Sequence, residues 1–117
     1  MESKHKYESI VSLFAMLVKE KVYGPVDRLA RASDLDMVRV AIYESIRYLS
    51  TEIQKGTVRK VPSEQEIREF LDDIERRGVG VARRIAIEAL TRGLREQVEI
   101  QQAQAQSTQT QAEPSVR

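Results

Sequence analysis

The chain contains no cysteine and no tryptophan, and asparagine is also missing. Without cysteine there is no disulfide framework, no thiolate nucleophile and no Cys-ligated zinc. Histidine occurs once: His5 sits between Lys4 and Lys6 with no partner in sequence for general-base or metal chemistry, and reads as a solvated side chain. No apolar run approaches the roughly 20 residues of a membrane span. The run "IVSLFAMLV" is nine residues long before Lys19 and is followed by no small-residue cleavage site. A signal peptide is therefore not expected, nor a membrane partner, and the expected location is the cytoplasm. The phosphate loop G-x-x-x-x-G-K-[ST] is missing too. Gly78-Val79-Gly80 follows a helical pattern and not a strand, so it is no dinucleotide fingerprint. A non-enzyme is the expectation, with no catalytic residue, no metal, no cofactor and no small-molecule substrate.

Apolar spacing of three and four dominates what is present, and the fold class it predicts is all-α: a compact bundle of about four to five helices. Tyr7, Ile10, Val11, Phe14, Leu17 and Val18 repeat helically and predict a first helix ending near Lys21. Gly24 then suits a helix C-terminus and Pro25 the first turn of the next, short helix, with Val26, Leu29 and Ala30 inward. Ser33 is the expected N-cap of a helix of about 20 residues that closes at Gly56. "GTVRKVP" has slight strand character and reads as an extended connection or small wing. Ser63 with Glu66 forms a capping-box pattern ahead of the apolar stripe Ile67, Phe70, Leu71 and Ile74. The acids Glu69, Asp72, Asp73 and Glu75 read as a solvated face, because adjacent residues on a helix diverge and cannot converge on a cation. A last helix is predicted over about Val81 to Ile100. Residues 1–100 thus form one helical domain. The Gln-rich stretch 101–117 has one valine as its only bulky apolar residue and is expected as a disordered tail.

Charge separates two neighbouring segments. Residues 61–75 hold six acids and one arginine, whereas residues 76–95 hold six arginines and one glutamate. In one reading the two helices pack as an antiparallel hairpin about Gly78 and neutralise each other. In the other, Arg76, Arg77 and Arg84, with Arg59 and Lys60, face outward to nucleic-acid phosphates, which the arginine fork suits. A net charge of +1 gives no general pull on nucleic acid, so such contacts would be local, salt-sensitive and sequence-independent. The apolar residues of the last helix cover an arc of roughly 220°, wider than one neighbouring helix occupies. Within that arc Ala82, Ala86, Ala89 and Gly93 make a small-residue stripe, open to close packing inside the bundle or to self-association between copies. Arg83 falls inside the arc near the helix start, while Arg84, Glu88, Arg92 and Arg95 share one side.

"VDRLARASDLDMVRVAIYESIRYL" followed by "KGTVRKV" has the order of a helix-turn-helix with a wing, although Asp34 stands in the turn where glycine is usual. That order leaves a DNA-binding transcription regulator as one alternative. A structural coat or scaffold protein that polymerises through helix packing is another. "YGPVDRLARASDLDMVRVAIYESIR", then "VPSEQEIREFLDDIE" and an "ARRIAIEAL" helix, resembles the small all-helical subunit of archaeal CRISPR Cascade-type surveillance complexes over about residues 7–98. The resemblance implies a non-catalytic subunit in several copies, lining an RNA-guided antiviral complex and touching nucleic-acid backbone while base pairing reads the sequence. The partners it implies are nucleic acid, other subunits and further copies of this chain. The high charge and the lack of asparagine and cysteine fit a thermophile protein.

Overall fold

The computed structural model describes residues 6–50, 54–55 and 61–116, with side chains to residue 103. His5, Gly56, most of the connection expected as an extended link or small wing, Arg59 and Lys60 lie outside the described residues. Those described form an all-α bundle of five helices: α1 (Glu8–Lys19), α2 (Gly24–Ala30), α3 (Leu35–Tyr48), α4 (Glu64–Arg77) and α5 (Gly80–Val116). The helices enclose one core, whose largest fully buried side chains include Phe14, Phe70, Ile10, Leu13, Leu17, Leu29 and Ile42.

Helix ends differ from the expected ones where backbone geometry overrides residue preference. α1 closes at Lys21, as its apolar period predicts, but without the glycine: Lys21 itself takes a left-handed φ of 67°. Its amide donates to the Val18 carbonyl at 2.9 Å and the Val22 amide donates to the Leu17 carbonyl at 2.8 Å. This pairing is the Schellman closure, here without its usual glycine. Gly24 instead opens α2. The N-cap of α3 is Asp34, one residue past Ser33. Its carboxylate accepts from the Met37 amide at 2.9 Å, while the Ser33 hydroxyl lies against the Met37 sulfur. Ser63 does cap α4, accepting from the Glu66 amide at 3.1 Å. Gly78 ends α4 at φ +99°, a region that favours glycine, with its amide bonded to the Ile74 carbonyl.

The main correction concerns α5. It does not lie along α4 as a hairpin partner; it packs chiefly on α1 and α2. Ala82, Ala86 and Ala89 are fully buried, and a Cβ placed on Gly93 would come within 2.6 Å of the Val18 Cβ and 2.7 Å of the Ala15 carbonyl oxygen. Of the two readings of the small-residue stripe, packing inside the bundle holds: all four members are buried within the chain, and Gly93 seats α1. Small side chains let the two helix backbones approach, and Ala15 and Val18 of α1 fill the space. Gln97 strengthens this seam, donating to the Val18 carbonyl at 2.7 Å and to the Tyr23 hydroxyl at 3.1 Å. Arg92 grips α1 from the other margin, its fork reaching both carboxylate oxygens of Glu8 at 2.6 and 3.1 Å. The Gln-rich stretch begins where α5 leaves the bundle: every residue from Val98 to 103 is exposed.

Candidate nucleic-acid interface

The acidic and basic segments neutralise each other, among the described residues, only at their junction, where Arg76 and Arg77 pair with Asp73. Among the described residues, no ion pair joins a carboxylate of α4 to an arginine of α5. The arginines are sorted instead by what surrounds each one.

Arg76 and Arg77, in the last turn of α4, both turn back to Asp73, at 3.4 and 2.9 Å. Basic residues there complement the helix dipole. Asp73 is no solvated acid. It is 4% exposed and accepts the Tyr7 hydroxyl at 2.8 Å, which ties the start of α1 to α4. The Tyr7 ring packs edge-on against Phe70 with centroids 4.9 Å apart. The Tyr7 hydrogen bond, supported by Arg77, Lys6 and Arg76, holds the Asp73 carboxyl below its ordinary range against the opposing effect of burial. Burial and the bond to Asp73 push the Tyr7 hydroxyl well above its ordinary value. A signal for this role stood in the sequence: Asp73 lies three residues after Phe70 and three and four before the arginine pair. Arg76 also shares a shallow depression with Lys6, Glu69 and Asp72, so acids surround it. The heads of Arg76 and Arg77 stay exposed, but their first partner is an internal carboxylate.

Arg83 donates to the Ala30 carbonyl at 3.4 Å, as its place within the apolar arc requires. Arg28 pairs with Glu44, and Arg39 with Asp36 at 2.9 Å. Besides Arg83, four exposed arginines remain without an ion pair among the described residues: Arg47 on α3, Arg68 on α4, and Arg84 and Arg95 on α5.

These four fall into two settings. Arg68 lines a groove of about 210 Å³ between α3 and α4, together with Arg39, Tyr43, Glu64, Ile67 and Leu71. Arg47 stands one helical turn beyond Tyr43 on the same exposed face of α3, which also shows Val40. The groove thus offers arginine forks beside an exposed aromatic ring. Reading along the chain missed it, because Arg68 is the lone base in an acidic segment and Tyr43 lies on another helix; only the α3–α4 packing joins them. Arg84 and Arg95 lie along the outer edge of α5, beside large aliphatic side chains and no described aromatic ring. No group of three or more His, Cys, Asp or Glu side chains among the described residues is arranged to hold a metal ion, and no described helix is long and apolar enough to cross a membrane. No family model, curated protein or solved structure matches this chain.

Proposed function

We propose that this chain is a non-enzymatic, self-associating small subunit of a nucleoprotein assembly, and that it contacts the backbone of a nucleic-acid strand through the α3–α4 groove. One observation carries the reading: Arg39, Tyr43 and Arg68 meet at a surface groove, with Arg47 one turn on, and neither Arg47 nor Arg68 has a carboxylate partner among the described residues. Arginine forks hold phosphates, and an exposed tyrosine gives any base a stacking face without selecting its identity. Glu64 at the groove and Asp36 beside Arg39 keep the local field mild, which suits a subunit whose neighbours supply the rest of the charge. The setting implied by the resemblance noted above, an RNA-guided antiviral complex in which base pairing reads the sequence, asks for such a sequence-indifferent contact. Arg84, Arg76 and Arg77 are the secondary candidates, the last two weakened by Asp73.

The test is fluorescence anisotropy of labelled single-stranded RNA and DNA homopolymers with the full chain over a salt series. Binding should fall steeply with salt and vary little with base composition. Arg47→Glu with Arg68→Glu should abolish it while helical circular dichroism is retained; unchanged binding rejects the groove.

A second reading rests on α2 and α3, which follow one another as a helix-turn-helix would, with Val40, Tyr43 and Arg47 exposed on α3. As a DNA-binding regulator the chain would read a duplex through that face. Protected half-sites about one helical turn apart would establish it, and binding without sequence preference rules it out.

A further inference from the structure

On the side of α5 turned away from α1 and α2, Ile87, Leu90, Leu94 and Val98 are between 36% and 57% exposed. Their spacing of three, four and four places them in one stripe, about 16 Å long at 1.5 Å per residue. Scattered exposed aliphatics are ordinary, but a continuous stripe on one helix marks a surface that something covers. The inner face of α5 is already taken by the bundle, so the partner must come to this outer face.

Charge along one margin of the stripe names the partner. Arg84, Glu88, Arg95 and Glu99 all lie on that margin at 100° per residue. The opposite margin runs toward Tyr23, just before α2, which Gln97 bonds, while Arg83, one turn before Ile87, bends to the Ala30 carbonyl at the end of α2. Now let a second α5 lie antiparallel, related by a two-fold axis beside Thr91 and Arg92. Ile87 of one copy comes opposite Val98 of the other, and Leu90 opposite Leu94. The same register sets Arg95 opposite Glu88 and Arg84 opposite Glu99, each pair occurring twice. In an antiparallel pair like margins face each other, so acid meets base with no like-charge opposition. A parallel pair sets this margin against the α2 side, where these four charges find no partner on α5. Glu88 is 3.6 Å from Arg92, but Arg92 is held by its fork on Glu8 and does not need Glu88.

We infer that the outer face of α5 is a self-complementary interface that joins two copies of this chain, antiparallel, about a two-fold axis near Thr91. The contact is isologous and closes as a dimer instead of growing into a fibre. It supplies the self-contact of the assembly proposed above and rests on that reading only there: the groove between α3 and α4 takes no part in it.

Sedimentation equilibrium of the full chain without nucleic acid tests it. The chain should be dimeric at micromolar concentration. Leu94→Glu should weaken the dimer at least about a hundredfold, since two leucines leave the interface, with helical content and thermal midpoint close to those of the parent measured as monomer. Arg95→Glu and Glu88→Arg should each weaken it roughly tenfold, and the two together should restore it, because the exchange keeps opposite charges opposed. A parent chain that remains monomeric at about 1 mM overturns the inference and assigns the stripe to a different protein. A dimer untouched by Leu94→Glu overturns it as well, and a double exchange that fails to rescue overturns the antiparallel register. Strand binding by the Leu94→Glu monomer, and dimerisation by Arg47→Glu with Arg68→Glu, separate failure of this interface from failure of the groove.

Discussion

The two faces of α5 reverse the usual distribution of side chains. Beyond Val81 and Ile85 in its first turns, alanine and glycine point into the protein, at Ala82, Ala86, Ala89 and Gly93, while isoleucine, leucine and valine point out, at Ile87, Leu90, Leu94 and Val98. Burial by itself does not produce this, since a helix seeking burial would turn its larger side chains inward. The inner face is selected for close approach. α1 brings the bulk, with Phe14, Leu17 and Val18 fully buried, and α5 brings the space. The outer face keeps its bulk for a contact the monomer does not contain. An apolar arc too wide for one neighbour thus divides into a packing half and a docking half.

Filling the inner face should have the largest effect. At Gly93 even one methyl group meets the Ala15 carbonyl oxygen at 2.7 Å, and backbone yields less readily than a side-chain end. Gly93→Ala gains about 1 kcal/mol of helix propensity, yet it should destabilise the fold by about 1–3 kcal/mol net through overpacking. Ala86→Leu should cost about 3 kcal/mol for the same reason. Urea unfolding of a monomeric background such as Leu94→Glu measures both. A neutral or stabilising Gly93→Ala would mean that α1 and α5 sit farther apart than described, and the contrast between the faces would fail.

α1 is also held from its other side, where Asp73 of α4 accepts from Tyr7, and breaking that clamp shows how much of the hold belongs to α5 alone. Asp73→Asn should cost about 2 kcal/mol near neutral pH, within the range for a disturbed buried hydrogen bond to a charged group. The pH dependence carries a sign. The folded carboxyl titrates below its ordinary value near 3.8, so its stabilisation is present above that value and is lost as pH falls through the lower folded one. Tyr7 titrates above its ordinary value of 10.0, so its share is complete below pH 10 and is lost as pH rises beyond it. Unfolding free energies measured across both ranges should flatten at the acid end in Asp73→Asn and at the alkaline end in Tyr7→Phe. Equal slopes in parent and variants would remove Asp73 and Tyr7 as the clamp.

A smaller gain is expected where α1 ends against α5. Lys21 holds a left-handed conformation that costs a side chain about 1 kcal/mol. Lys21→Gly should therefore stabilise by about 0.5 kcal/mol once the greater freedom of unfolded glycine is subtracted. A loss of stability would place Lys21 among side chains that hold the α1–α5 seam.

Helix content was legible in the sequence because period is a local property: Ile10, Phe14 and Leu17 announce α1, and Ile67, Phe70 and Ile74 announce α4, without reference to anything else. The Ser63 cap and the Gly78 stop were legible for the same reason. Partnership was not. Opposite charge on consecutive segments suggested that α4 and α5 pair, yet the α1–α5 seam buries more apolar surface than an exposed ion pair repays. The small-residue stripe announced a close approach without saying to what, and at Gly93 the answer was Val18 of α1, some 75 residues earlier in the chain. Asp73 resembled its acidic neighbours until Tyr7 was placed beside it. The candidate groove depends on residues from two helices that no spacing rule connects.

The smallest effect should come from the outer face of α5, and its smallness matters. Leu90 is 36% exposed, so in a monomeric background it keeps part of its surface in water on folding. Leu90→Gln there should change unfolding free energy by no more than about 0.5 kcal/mol, as surface substitutions do, set against the 1–3 kcal/mol expected for one methyl group at Gly93. The same substitution in the parent chain should lower the apparent stability in a way that depends on protein concentration, because it acts on the dimer and mass action enters. Urea midpoints at two concentrations a hundredfold apart measure this. A loss independent of concentration, and as large in the monomer as in the parent, would mean that Leu90 serves the bundle itself, and the two faces of α5 would no longer be distinct.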